Sequence, residues 1–250
     1  IDKLADVLAV SPGLVARLLG LANSAYFGQS RNISDLSTAI FQVLGLELVK
    51  SLSLGIVLNV QFDTGKCRTF NTEYFWMRSL LTALAAQKLA VGNKLQQFSP
   101  ATIYTSGLLL YIGVLVLGYL IPEELNAILQ RSEKNHTCAG DEIRLQLEES
   151  HYHLGYVLLQ KWQLSPVYQS VLNHFEDAEF NGEEKPLINL LILSQRLSVM
   201  LLDNDDVDIS ELEKLCKKLS LSTTGLRGVV DELVGNRESI KKLAAIMGNR

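Results

Sequence analysis

Three histidines lie close enough along the chain to raise the question of a metal centre: His151, His153 and His174. Metal-assisted hydrolysis needs neutral imidazoles and carboxylates, one open coordination position, and a bound water whose pKa falls to about 7. On a helix, His151 and His153 point about 200° apart and cannot share an ion, although in a loop that objection weakens. His151 and His174 could converge from two helices, with Glu148 or Glu149 as the nearest carboxylates. Glu148 and His151, three residues apart, can meet on one helical face. The expectation is a hydrogen-bonded histidine network bracing two helices, with metal ligation as the alternative.

Other chemistries find less support. Cys67, Cys138 and Cys216 form no CxxC pair, so neither a zinc-finger spacing nor a disulfide framework is present, and a reducing compartment is expected. No serine stands in a GxSxG elbow, and Cys67 has no histidine near it in sequence. Gly107, Gly113 and Gly118 are not followed in register by the Lys and Ser/Thr of a phosphate loop, so they read as sites of close helix packing. The acidic run Asp203 to Asp208 lacks the glycine and closing glutamate of an EF-hand and reads as a helix-capping loop. Trp76 and Trp162 read as core anchors.

These residues need elements to position them. With 48% hydrophobic and 20% charged residues in 250, the chain can build a sizeable core and is not a disordered polymer. A net charge of -4 repels phosphate backbones, and Lys214, Lys217 and Lys218 barely begin a basic stripe, so no nucleic-acid partner is expected. Leucines fall at helical spacing from Leu4 onward, with Ser11 capping and Pro12 opening a helix. Further helices are predicted over Ser34 to Gly45, Glu47 to Phe62, Thr72 to Val91 (with an alanine-rich face), Gly107 to Gly118 and Glu123 to Arg131. Ala139 to Gln163 reads as one helix, followed by Val167 to His174 and Leu187 to Leu202. Amphipathic helices over Ser210 to Leu219, Ser222 to Val234 and Arg237 to Met247 complete the chain. No strand-type alternation is found, so the fold class is all-α.

The polar break Asp63 to Arg68 marks a subdomain boundary, giving residues 1–65, 66–180 and 181–250. From Leu95 to Pro122 no residue is charged, yet the strongly apolar part, Gly107 to Ile121, falls short of the roughly 20 residues of a spanning helix. A buried helix, with no membrane span, is expected. The opening IDKLADVLAV has neither a starting Met nor a signal-peptide pattern, as expected of a segment from a longer parent.

At this point particular residues become familiar. Ser11 to Leu52 resembles the opening of HDOD domains, through Ser11-Pro12, Asn23-Ser24-Ala25, Ile33, Ala39-Ile40 and Leu44-Gly45. Phe75 to Ala83, Ser106 to Gly113 and His151 to Phe175 match the later landmarks of that family. The resemblance implies two packed helical subdomains, the second a degenerate version of the metal-dependent HD phosphohydrolase bundle. It places Arg78 at the first metal histidine, Leu110 and Tyr111 at the central His-Asp pair, and the distal aspartate near Gln195. His151 matches a later histidine of the family, and His174 the first of a His-His pair whose second member here is Phe175.

A cation and a leucine oppose a divalent ion. The resemblance therefore implies no metal, no cofactor and no enzyme activity. Arg78 is expected to be a structural ion pair or a partly exposed helix arginine, with anion binding as the alternative. Asn23 and Ser24 are expected to close a helix end, with Tyr26 and Phe27 as anchors, rather than to line a ligand groove. The function implied is a cytoplasmic bacterial signalling module that binds receiver, cyclic-di-GMP-turnover or kinase-type partners, either separate or fused. Its expected interaction surfaces are the seam between residues 1–65 and 70–180 and the amphipathic C-terminal helices. The rival reading is a residual phosphohydrolase or nucleotide-binding sensor using His151, His174 and Arg78.

Overall fold

The computed structural model describes residue 8 and residues 11–28, 33–93, 95–203 and 207–248. The helix expected around Leu4 and Leu8 and most of the acidic run after Asp203 lie largely outside these. The described residues form helices joined by turns and loops, with no strand among them. Helix α1 is Pro12–Ala22, with Pro12 in its first turn; Ser11 sits at the N-cap but its hydroxyl makes no capping bond. The predicted Ser34–Gly45 helix is a short α-turn, α2 (Leu36–Thr38), that widens into a π-helical stretch, Ala39–Leu44. Its cap is Asp35, which accepts from the Thr38 amide at 2.7 Å. Helix α3 (Leu46–Gln61) follows.

The long helix α4 (Thr72–Leu89) is the hub. It packs against α5 (Pro100–Leu109), α11 (Lys185–Asp203), α13 (Leu226–Gly235) and α14 (Arg237–Gly248). Its alanine-rich face is the reason these neighbours come close: Ala83, Ala85 and Ala86 are fully buried. A Cβ added at Gly107 of α5 would lie 2.7 Å from the Ala83 Cα, so the two backbones touch there and only glycine fits.

Two expected helices are each split. The Gly107–Gly118 stretch breaks at Leu110–Tyr111, separating α5 from α6 (Ile112–Leu120). Ala139–Gln163 breaks at Glu148, which adopts a left-handed φ of 55°, into α8 (Ala139–Leu147) and α9 (His151–Lys161), with the Ser150 hydroxyl capping the Tyr152 amide. Between them, α7 (Pro122–Asn135) packs on α8, and α10 (Pro166–Asn173) packs on α9. Helix α12 (Ile209–Lys218) is capped by Asp208, whose carboxylate accepts from the Ser210 and Glu211 amides. One continuous hydrophobic core draws on residues from Leu8 to Met247, and a second, smaller one (Cys67, Leu117, Leu125, Ile128, Ile143) lies under α6, α7 and α8.

By length and composition two stretches could cross a membrane, Pro100–Leu120 and Lys185–Leu202. Sequence reading flagged only the first. In the fold, 83% of the first and 56% of the second are buried among other helices, which gives their apolar character an internal use.

Candidate functional site: a helical pocket without carboxylates

Three helices and the α5–α6 break build the site. Arg78 comes from the middle of α4, and Leu110 and Tyr111 from the break. His151 and Tyr152 open α9, and Gln195 and Ser198 lie one turn apart on α11. The Arg78 guanidinium carbon sits 4.3 Å above the centre of the Tyr111 ring, a cation–π contact. Tyr111 in turn faces the His151 ring at 6.4 Å, His151 contacts Tyr152 at 3.9 Å, and Tyr152 meets Phe175 at 4.5 Å. The Gln195 amide donates to the Tyr152 hydroxyl at 2.5 Å. Thr82 Oγ1 lies 3.3 Å from the Tyr111 hydroxyl and donates to Ser198 Oγ at 3.0 Å.

The electrostatics follow from this composition. No carboxylate pairs with Arg78 among the described residues, so of the two expected readings the ion pair is not formed, and Arg78 is a partly exposed helix arginine. Burial works against the guanidinium's charge, but the oxygens of Tyr111 and Tyr152 outweigh it and raise its pKa. His151 is pushed the other way, down to about 3, first by burial and then by the positive charges of Arg78 and Arg144. It is a neutral ring at any ordinary pH.

That depression is a stability statement. The unfolded chain takes a proton at His151 below its ordinary value near 6.5, and the folded chain refuses it until about pH 3. Stability contributed by this group is therefore complete above pH 6.5 and declines as pH falls toward 3. Replacing His151 with phenylalanine is expected to flatten that part of the slope, measured as urea midpoints at pH 7, 5.5 and 4.

The other predicted residues fall in and out of the site. Leu110 is fully buried, as is Tyr111. His174 turns away: it pairs with Asp177 at 3.5 Å and stacks on Phe180 at 4.1 Å, while its neighbour Phe175 enters the pocket. The bracing pair of His151 and His174 is therefore not formed, and His151 reaches aromatic rings instead. Glu148 does not share a face with His151, because it forms the break before α9 and is exposed. His153 lies on α9 beside Tyr156. Sequence reasoning missed Thr82, Tyr152 and Ser198, and placed Phe175 only as the second member of the family's His-His pair. Thr82 is one helical turn from Arg78 and Ser198 one turn from Gln195, which is the spacing that could have found them.

Asn23 closes α1 as expected. Its amide donates to Leu19 O (2.9 Å) and Ile33 O (2.7 Å), and its oxygen accepts the Ile33 amide at 2.7 Å, tying two chain segments together. Ser24 follows with its hydroxyl enclosed and unbonded, and Tyr26 and Phe27 meet edge to face at 5.2 Å. Ala39 and Leu44 are core residues, and Gly45 ends the π-helical stretch.

The residues of this pocket do not fit a divalent metal ion. The pocket offers one neutral imidazole, a cation and phenols. No group of three or more His, Cys, Asp or Glu residues able to hold an ion occurs among the described residues.

The fold and the pocket together define an all-α protein of HD-like architecture. The family model for the HDOD domain matches residues 1–178, and the chain belongs to that family. An uncharacterized protein of Treponema pallidum (strain Nichols) is 28% identical over 210 residues, which are 81% of this chain and 39% of the relative. A protein of Marinobacter aquaeolei VT8, named for signal transduction, superposes with a TM-score of 0.80 at 20% identity, over 100% of this chain and 55% of the other. One from Shewanella amazonensis SB2B, named as a phosphohydrolase, gives 0.77 at 19% identity over 99% and 87%. The chain thus spans about two-fifths to just over half the length of the first two.

Proposed function

We propose that this chain is a non-catalytic cytoplasmic signalling module that acts by binding other proteins. The observation that carries this reading is the pocket's composition. Activating a water on a metal needs ligands that attract a cation, and here a guanidinium and a buried leucine stand at two of the expected ligand positions. Membership of the HDOD family and the signal-transduction name of one structural neighbour support a regulatory role. The partners are receiver, cyclic-di-GMP-turnover or kinase-type domains, either within a longer parent or separate.

The docking surface of this proposal is the seam between the first 65 residues and the following bundle. Phe62, at the end of α3, stacks on Trp162 at 5.8 Å and meets Tyr119 edge to face at 5.6 Å. The outer members stay in solvent: Tyr119 is 48% exposed, Trp162 39% and the adjacent Leu120 64%. Aromatic side chains left half in water are the type that anchors protein interfaces. The amphipathic tail supports docking less well, because its apolar residues Leu233, Ile240, Leu243 and Met247 are spent on the core.

Two measurements test the reading. Protein purified without chelator should hold well under one equivalent of Mn, Fe or Mg by plasma mass spectrometry and should not hydrolyse bis-p-nitrophenyl phosphate with any of them added. A stoichiometric metal with turnover would overturn it. In parallel, Tyr119→Ala with Trp162→Ala should remove the proteins that co-purify with the wild type while leaving the melting curve nearly unchanged.

A further inference from the structure

We propose that the HD-like pocket binds a small oxyanion, a phosphate or a carboxylate, on the guanidinium of Arg78. The inference starts from charge. Buried cations in proteins are paired, because an unpaired charge away from water is costly. Arg78 has no acidic partner among the described residues; its neighbours are the ring and hydroxyl of Tyr111 and the Tyr152 oxygen. Two polar atoms of the same pocket are moreover enclosed and without any hydrogen-bond partner: Arg78 Nε and Nδ1 of His151, a residue only 5% exposed. An orphaned buried group asks for an explanation, and an absent anionic partner supplies one for Arg78 Nε.

The geometry suits an oxyanion. Tyr111 occupies the flat face of the guanidinium, whereas hydrogen bonds leave it in the plane, so stacking and anion binding do not compete. Tyr152 accepts from Gln195, which leaves its own hydroxyl proton to donate. His151, held neutral, does not oppose the guanidinium and can present an N–H. Arg78 is half-buried rather than sealed, although its Nε is enclosed. A planar fork of donors favours carboxylate or phosphate over a halide. This inference rests on the pocket's residues and is independent of the docking seam.

The test is a melting titration of the whole chain with inorganic phosphate, and separately with acetate, at constant ionic strength set by sodium chloride. We expect the midpoint of the wild type to rise and saturate with at least one of the two, which tells a phosphate site from a carboxylate site. The rise should vanish in Arg78→Gln. Should that variant not fold, Arg78→Lys keeps the charge but loses the fork, and its apparent Kd should be weaker by about tenfold. No response of the wild type to either anion overturns the proposal, and so does an equal response in the variants. Because the readout is binding alone, it can fail while the seam variants behave as predicted, or the reverse.

Discussion

Gly113→Ala is expected to be the most damaging small substitution in this chain. A Cβ at Gly113 would stand 1.8 Å from the His151 carbonyl oxygen and 3.0 Å from the Gly155 amide nitrogen. Both atoms are backbone of α9, so no change of rotamer makes room and the two helices must part. Overpacking costs about 1–3 kcal/mol where side chains can yield. With backbone as the obstacle the loss should reach about 4 kcal/mol or more, against a total stability on the order of 5–15 kcal/mol. Parting α6 from α9 also separates Tyr111 from His151, so the pocket should loosen with the fold. Urea midpoints check this, with Gly228→Ala as the contrast. Gly228 is exposed on α13 with nothing within 4 Å of an added Cβ, and alanine there should stabilise by about 0.5–1 kcal/mol. A Gly113→Ala protein that melts like the wild type would show that α6 and α9 separate without cost.

The same glycines show what could be read in advance. Their placement in an uncharged, leucine-rich stretch pointed to close helix packing, and Gly107 and Gly113 do let backbones touch. The helical period of the leucines was equally legible, because a buried face repeats every three to four residues whatever it packs against. The breaks were not. Leu110–Tyr111 carries no proline or glycine between its helices, and its turn sits where Tyr111 reaches Thr82 and Arg78, contacts that no local pattern announces. Glu148 is a poor residue for a left-handed conformation, so the end of α8 left only the Ser150 cap as a local sign. In the site, Arg78, Leu110, Tyr111, Gln195 and Phe175 came from landmarks of the family, while Tyr152 carried no signal of its own. His174 shows the opposite failure. Adjacent residues on a helix end point about 100° apart, so its neighbour entered the pocket in its place.

Removing residues 237–248 is expected to abolish the cooperative melt, even though the sequence marks the amphipathic tail as an interaction surface. The argument runs through Trp76. Its indole N–H donates to Asn59 Oδ1 at 3.1 Å, and the Asn59 amide donates in turn to the Gly248 carbonyl at 3.3 Å. The ring lies close to both Gly55 of α3 and Gly248 of α14, and the Met247 methyl would meet any Cβ at Gly55 at 2.7 Å. One tryptophan of α4 thus joins the first, second and last segments of the chain. Truncation exposes it together with the surfaces that Ile240, Leu243 and Met247 now cover, each of which buries almost completely. At about 1.5–3 kcal/mol per large apolar side chain the loss is comparable with the whole stability of a domain. Trp76→Ala, with the tail intact, should cost about 3–5 kcal/mol through the same contacts. Tryptophan emission and circular dichroism on heating distinguish the outcomes. A broad, featureless transition with red-shifted emission from the truncated chain supports a single cooperative unit built around α4. A sharp melt would mean that α14 is dispensable to the fold, and its apolar face would then join the aromatic seam as a surface for partners.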